Sequence, residues 1–155
     1  QLQTNAAYLD IARFLQHELS LIGIALRIDQ MPPANLREQM ARGEAPFFRA
    51  SWIADYPDAE NYLALFLSSN HSPAGPNYTP FQSEEFDELY RKALSQPDDS
   101  IRHELYHKMN TLIIEEAPVV FLFYDQSVRF VPHYIKGMQS NPLNHLILKR
   151  VYMQP

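Results

Sequence analysis

Residues 5–29, NAAYLDIARFLQHELSLIGIALRID, contain the pattern that decides the fold, an amphipathic helix followed directly by a strand. Thr4 and Asn5 are typical helix caps, because their side-chain oxygens can accept a hydrogen bond from an unpaired backbone N–H. Gly23 stands where the left-handed residue after a helix is expected. Residues 24–28 then alternate apolar and polar side chains, as a strand does. The apolar stripe of the predicted helix consists of Tyr8, Ile11, Ala12, Leu15, Leu19 and Ile22.

The alternation of helix and strand continues on both sides of this stretch. Leu2 is expected to end an earlier strand, and a short helix is predicted over residues 34–42, ending at Gly43. An aromatic-rich strand is predicted over residues 47–53. Strands that alternate with helices are typical of a parallel sheet covered by helices. The sequence therefore predicts an α/β fold.

The second half of the chain predicts helices followed by strands. A short helix is expected at residues 59–67 and a loop at 68–80. Ser83, and Asp98 or Asp99, are placed to cap two longer helices. The second of these has a predicted apolar stripe of Ile101, Leu105, Met109, Leu112 and Ile113. Strands are expected near the end of the chain, at 119–124, 128–131 and 146–151.

The composition excludes several classes of protein. The 155 residues suit one domain, and 46% hydrophobic with 20% charged residues is ordinary globular usage. No apolar run approaches the roughly 18 residues of a membrane-spanning helix. The net charge of −5 argues against a nucleic-acid partner, which requires clustered positive charge. The absence of cysteine excludes disulfides and thiolate zinc sites.

One motif suggests an alternative function, a zinc-dependent hydrolase. His103-Glu104-Leu105-Tyr106-His107 fits H-E-x-x-H, in which two histidines one helical turn apart bind zinc and the glutamate acts as a base. At 100° per residue, both histidines lie about 200° from Leu105, the centre of the predicted apolar stripe. The sequence therefore favours a solvated helix face, and we expect no metal site and no catalytic residue here.

A second constellation lies in residues 49–58, RASWIADYPD. In open parallel sheets ligands bind beyond the carboxyl ends of the strands, so Asp55 is expected at the rim of a cleft. A carboxylate beside the indole of Trp52 suits a cation, because the charge is neutralised and the ring adds about 0.5–2 kcal/mol when water is excluded. Tyr56 is presented by the same turn. The alternative is that Trp52 fills the core and Asp55 only begins the next helix.

The run Trp52-Ile53-Ala54-Asp55-Tyr56-Pro57-Asp58 resembles the W-x-A-D-Y-x-[DE]-P signature of the family 5 extracellular solute-binding proteins, the receptors of ABC importers for peptides, nickel and related solutes. Ala59 departs from the signature, which has proline there. Other stretches in matching order are similar to the family over nearly the whole chain: Leu21-Ile22-Gly23-Ile24, Phe86-Asp87-Glu88-Leu89, residues 102–106 and Ala117-Pro118-Val119-Val120.

This resemblance implies a type II periplasmic-binding-protein fold, with a mixed, mostly parallel sheet flanked by helices. It implies that residues 1–155 form one partial domain, most of the C-terminal lobe of a receptor whose two lobes close on the ligand. In peptide-binding members, the aspartate that matches Asp55 pairs with the ligand's α-ammonium and the tryptophan that matches Trp52 lines the pocket. Arg49 matches an arginine that some members direct towards the peptide, although it is equally placed to pair with a neighbouring carboxylate.

The expected function is that of a binding protein and not an enzyme. The chain is expected to take part in capturing di- or oligopeptides and delivering them to a membrane permease, at the periplasmic or extracellular face of a bacterial cytoplasmic membrane, where a lipid anchor is compatible with the family. The expected partners are a peptide, the permease and the missing lobe, with no cofactor. Nickel, haem or another non-peptide solute remains an alternative ligand, and a small interaction domain an alternative class.

Overall fold

The computed structural model describes residues 1–154 and shows short strands packed among helices. The strands are β1 (Leu2–Thr4), β2 (Ile28–Gln30), β3 (Ile135–Lys136) and β4 (Tyr152–Met153). The α-helices are α1 (Leu9–Leu21), α2 (Pro33–Ala41), α3 (Glu60–Leu63), α4 (Glu84–Leu94) and α5 (Asp99–Glu116). Short 3-10 helices lie at Ala6–Tyr8, Ala64–Phe66 and Ser68–Asn70.

A small parallel sheet organises the N-terminal half of the chain. Strand β1 pairs in parallel with β2, with Leu2 opposite Ile28. On its other side, Gln3 forms a parallel bridge to Phe48, and the backbone N–H of Arg49 donates to the Gln3 carbonyl at 3.0 Å. Strand β1 is therefore central, and the predicted helix–strand alternation with Leu2 in a strand is confirmed.

The positions of two predicted strands need correction. The strand expected at residues 24–28 lies instead at β2, because the hydrogen bonds of β1 reach Ile28–Gln30. The strand expected at 47–53 is reduced to the bridge at Phe48, since the chain turns away from β1 after Arg49. Alternation of apolar residues predicts extended backbone, whereas the strand limits depend on where the partner strand ends.

The predicted helix ends are largely confirmed. The side chain of Asn5 accepts a hydrogen bond from Ala7 N–H at 3.0 Å, and Gly23 has a φ of +81° after α1. Ser83 and Asp98 cap α4 and α5 by accepting backbone N–H bonds. These caps act within one turn of chain, so they can be recognised from sequence.

The main hydrophobic core lies where α4 and α5 pack against α3 and the segment before α4. Phe86 is fully buried, and its ring meets Phe81 edge to face at 5.5 Å between centroids. The buried residues of α5 are Tyr106, Met109 and Ile113. The predicted stripe is therefore partly wrong, because Ile101 at its start is 47% exposed. The cluster consists of Leu63, Phe66, Phe81, Phe86, Tyr90, Ala93, Tyr106, Met109 and Ile113.

The last third of the chain differs most from expectation. Residues 119–124, 128–131 and 146–151, predicted as strands, form none; the strands here are β3 and β4, which pair antiparallel. An extended segment becomes a strand only when another segment supplies hydrogen bonds to its backbone. Within residues 118–131 many large apolar side chains are exposed: Val120, Phe121, Leu122, Phe123, Tyr124, Val128, Phe130 and Val131.

Candidate functional site

The candidate site is the turn that follows the third parallel segment of the sheet. The last sheet contact of this segment is at Arg49, and residues 50–58 leave the sheet as irregular backbone. In parallel sheets the carboxyl ends of strands are the usual position for ligand-binding groups. The turn therefore presents its side chains at the edge where a ligand is expected.

A buried amide joins Trp52 and Asp55. The Oδ1 atom of Asn61, in α3, accepts a hydrogen bond from Trp52 Nε1 at 2.7 Å and from the backbone N–H of Asp55 at 3.3 Å. Asn61 is 6% exposed and Trp52 is 37% exposed. Trp52 is thus neither core filling nor free in solvent, because about a third of its surface is exposed while its indole N–H is hydrogen-bonded.

The carboxylate of Asp55 is available to a ligand. Its side chain is exposed, and no residue among 1–154 donates a hydrogen bond to it or forms an ion pair with it. Helix α3 begins at Glu60, so Asp55 does not cap it. The arrangement offers an unpaired negative group on the same turn as a fixed aromatic ring.

Tyr56 is tied to a different carboxylate. Its hydroxyl donates to Glu60 in α3, and the hydroxyl of Tyr90 in α4 donates to the other oxygen of the same group. The bond to Glu60 raises the pKa of Tyr56, while a contact with Asn61 opposes this effect. Tyr56 therefore stays protonated at neutral pH and links the turn to α4.

Asp58 anchors the other end of the turn. Its carboxylate accepts the backbone N–H of Glu60 at 2.9 Å and lies 3.7 Å from the guanidinium of Arg102 in α5. Burial alone would raise the pKa of Asp58, but hydrogen bonds from Glu60 N–H and the Tyr106 hydroxyl, together with the charge of Arg102, hold this pKa below its usual value. The same contacts act on the phenol: burial and the hydrogen bond to Asp58 raise the pKa of Tyr106 to about 12.

The structure places Arg49 apart from this cluster. Its guanidinium lies over the ring of Tyr8, 3.2 Å from the ring centroid, and donates to Ser51 Oγ at 3.2 Å. Among the described residues no carboxylate forms an ion pair with Arg49. The alternative of a strand arginine paired with a carboxylate is therefore wrong, and the cation–π contact takes its place.

The histidine motif lies on the exposed face of α5, as predicted. His103, Glu104 and His107 are all exposed, and the buried face of the helix is formed by other residues. In residues 1–154 no group of three His, Asp or Glu side chains is arranged to hold a metal ion.

Sequence reasoning missed the residues that support the turn. Asn61, Glu60 and Asp58 were not singled out, nor were Tyr106 and Arg102 in α5. One local signal was available, since an aspartate just before a short helix is a typical cap. The contacts of Asn61 reach back six and nine residues, beyond the range of a helix cap, and the contact of Tyr106 with Asp58 joins distant segments, so both appear only in the fold.

Comparison with known proteins shows a similarity to one family of binding proteins. Residues 2–74 match the model of the bacterial extracellular solute-binding proteins, family 5 Middle. The dipeptide-binding protein DppE of Bacillus subtilis is 25% identical over 94% of this chain and 26% of its own length. The chain spans about a quarter of the length of the curated relatives it matches.

Solved structures show the fold. The murein tripeptide binding protein MppA of Escherichia coli superimposes with a TM-score of 0.84 at 19% identity, over 98% of this chain and 30% of that protein. The ABC transporter-associated periplasmic binding protein DppA of Helicobacter pylori, in complex with a peptide, gives 0.75 at 23% identity, over 99% and 31%. The predicted type II periplasmic-binding-protein fold is confirmed.

These matches agree with the expected class and location. The proteins are named as binding proteins and not as enzymes, and the family is described as extracellular. Across residues 1–154, none of the helices combines the length and hydropathy needed to cross a bilayer. Residues 2–74, which include the turn with Trp52 and Asp55, are thus similar to the bacterial extracellular solute-binding proteins of family 5.

Proposed function

We propose that this chain forms one wall of a peptide-binding cleft in the substrate-binding component of an ABC importer, and that Asp55 binds the α-ammonium of the peptide. The observation that carries the proposal is the exposed Asp55 carboxylate, unpaired within residues 1–154, on the turn whose indole and Asp55 backbone are both held by Asn61. The names of the relatives support a peptide ligand, since DppE is a dipeptide-binding protein and the DppA structure holds a peptide.

The chemistry explains how such a site accepts many peptides. Peptides differ in their side chains, but an unblocked peptide carries an ammonium at its first residue, so a carboxylate there recognises the class and not the sequence. Trp52 lines the cleft beside this charge and attracts the cation through its ring. Tyr56, held by Glu60, extends the same wall. We place Arg49 at the sheet edge, where its cation attracts the carboxylate end of a bound peptide.

We propose further that residues 1–155 are most of the C-terminal lobe of a two-lobe receptor. The exposed apolar residues of segment 118–131 support this, because such a surface is normally covered by other protein. The remainder of the receptor would cover it and supply the opposite wall of the cleft. Closure of the two lobes on the peptide would then produce the form that the permease recognises, outside the cytoplasmic membrane.

The test is a titration of trialanine into the receptor expressed from the complete gene. Asp55→Asn keeps the shape of the side chain and removes its charge. Since truncating one partner of a desolvated charge pair costs about 2–5 kcal/mol, we expect roughly 30-fold weaker binding or more. The matched control is Asp10→Asn, because Asp10 lies fully exposed on α1. If Asp55→Asn binds trialanine as tightly as Asp10→Asn does, the proposal is wrong.

The same titration separates peptides from other solutes. A nickel chelate, haem or another ligand without an ammonium does not need a carboxylate at this position. Binding of such a solute by both variants, with no binding of trialanine by the unaltered receptor, would assign the cleft to a non-peptide ligand.

A further inference from the structure

Asn61 contacts two of the four residues considered for the site. Its Oδ1 atom accepts hydrogen bonds from Trp52 Nε1 and from the backbone N–H of Asp55. One amide thus holds both the aromatic ring and the backbone of the charged residue. It makes these contacts while almost completely buried, at 6% exposure.

These contacts are not those of an ordinary helix residue. An asparagine in the first turn of a helix commonly bonds to the backbone of its own helix. Both donors to Asn61 Oδ1 come instead from the turn before the helix. Because one oxygen serves both donors, the position of the Trp52 indole is coupled to that of the Asp55 backbone.

Contacts of helix α3 on two sides hold this amide in place. The side chain of Asp58 accepts the N–H of Glu60, and the Asp58 carbonyl accepts the N–H of Asn61 at 3.2 Å. On the other side of the helix, Leu63 belongs to the main hydrophobic core. Asn61 is therefore held by the core and acts on residues at the surface.

We propose that Asn61 is the positioning residue of this site: it sets the distance and angle between the Trp52 ring and the Asp55 carboxylate, and so the size of the cationic group that fits between them. The inference rests on the proposed function for its ligand, a peptide ammonium. The structural part of the proposal, that Asn61 fixes the Trp52 indole through a hydrogen bond, can be measured without any ligand. A primary ammonium fits the arrangement that Asn61 fixes, and loss of the amide relaxes this selectivity.

The first readout is the indole N–H of Trp52 in the receptor expressed from the complete gene. Its NMR signal is identified as the one that Trp52→Phe removes. We expect Asn61→Ala to move this signal upfield and to speed its exchange with solvent by about fivefold to tenfold, the loss of one hydrogen bond. Asn61→Asp keeps an acceptor oxygen, so the bonded signal is expected to remain in this second variant.

The control is Asn77→Ala, which removes a buried asparagine that is bonded to Thr79 outside the site. A merely structural role predicts similar destabilisation in both alanine variants and an unchanged indole signal. An indole N–H that is equally protected in Asn61→Ala and in Asn77→Ala would overturn the proposal.

The second readout is selectivity between trialanine and its N-trimethylated form. We expect the unaltered receptor and Asn77→Ala to prefer trialanine by about tenfold or more, since a bulkier ammonium loses its hydrogen bonds to the carboxylate. Asn61→Ala should reduce this preference at least threefold, and an undiminished preference contradicts the proposal. Failure of the proposed function appears differently: Asp55→Asn leaves trialanine binding intact, whereas the indole signal still responds to Asn61→Ala.

Discussion

Asp55 and Asp58 are separated by two residues, yet their carboxylates differ in whether they have hydrogen-bond and ion-pair partners. Asp58 is surrounded by donors, namely the N–H of Glu60, the hydroxyl of Tyr106 and the cation of Arg102. Asp55 receives none of these within the described residues. The Asp58 carboxylate therefore holds the turn, whereas the Asp55 carboxylate is free for the ligand role proposed for it.

The lowered pKa of Asp58 predicts that the free energy of unfolding falls at acid pH. Because its pKa is lowered in the folded state, the stability it contributes is present above the unfolded pKa near 4 and is lost as pH falls through the folded pKa. At neutral pH, Asp58→Asn is expected to reduce the free energy of unfolding by about 1 kcal/mol, the value of a typical hydrogen bond. Urea unfolding of the chain between pH 3 and 7 measures both effects.

The matched control for Asp58→Asn is Asp10→Asn on α1. Its carboxylate is fully exposed and only 4.0 Å from Arg13, so it contributes little. A loss of stability on acidification that is as steep in Asp58→Asn as in the control would show that Asp58 does not hold the turn.

At the residue scale, the sequence singled out the groups proposed to face the ligand but not the groups that support them. Trp52, Asp55 and Tyr56 lie within one short motif of unusual residue types, which can be recognised from the sequence alone. Asn61 is an ordinary asparagine in a helix until the fold brings it against the indole. Arg49 was singled out from the sequence, but its partner was not. Its contact with Tyr8 joins the sheet edge to the start of α1 and appears only in the fold.

At the element scale, the helix pair α4 and α5 is the foundation of the turn. Tyr90 of α4 bonds to Glu60, while Tyr106 and Arg102 of α5 bond to Asp58. The pair packs through buried side chains, with Phe86 at 0% exposure. The hydrophobic interface between α4 and α5 thus fixes the position of the turn.

Truncating Phe86 tests this foundation. Phe86→Ala leaves a cavity in the core and should lower the free energy of unfolding by about 3–5 kcal/mol. Leu94→Ala is the control in the same helix, since Leu94 is 62% exposed, and should change it by less than about 0.5 kcal/mol. Urea denaturation of the two variants gives the comparison, and equal effects would contradict the assigned core.

The raised pKa of Tyr106 predicts that the free energy of unfolding falls at alkaline pH. Its pKa is raised to about 12 in the fold, so its contribution is fully present below the unfolded pKa near 10 and is lost as pH rises through 12. Tyr106→Phe should cost about 1 kcal/mol at pH 8 and should reduce the loss between pH 10 and 12. Unfolding by urea at several pH values tests this, and an identical alkaline loss in Tyr106→Phe would exclude its bond to Asp58 as the cause.

The helices were easier to predict than the strands for a physical reason. The caps at Asn5, Ser83 and Asp98 are contacts over two or three residues, so local sequence contains them. Strands of two or three residues are defined by their partners, as β2 is by β1. The buried face of α5 also depends on the neighbour against which it packs: Met109 and Ile113 are buried as predicted, whereas Tyr106 is buried and Ile101 is exposed.

At the scale of the whole molecule, segment 118–131 is the main departure from a self-contained domain. The sequence predicts strands in this segment, but its apolar side chains are exposed to solvent. The exposed fraction is 95% for Phe130 and 92% for Tyr124. The strand prediction was wrong for this segment, because the described residues supply no backbone partners to it. Under the two-lobe proposal, the remainder of the receptor would supply these contacts.

This exposure predicts the behaviour of the chain by itself. We expect the 155-residue chain to bind an apolar dye such as ANS strongly, and the complete receptor to bind much less of it, because the segment is then covered. We also expect the chain alone to bind trialanine more weakly than millimolar, since contacts from one wall rarely offset the entropy of association. Fluorescence and calorimetry measure the two effects, and micromolar binding by the chain alone would contradict the two-lobe proposal.

The central claim is that a negative side chain at the sheet edge receives the positive end of a peptide. The most direct measurement is calorimetric titration of the unaltered complete receptor with trialanine and with N-acetyl-trialanine, which differ in that charge. A preference for the free peptide of roughly 30-fold or more is expected, because acetylation leaves Asp55 without its partner. Equal affinities for the two peptides would show that Asp55 does not bind the ammonium.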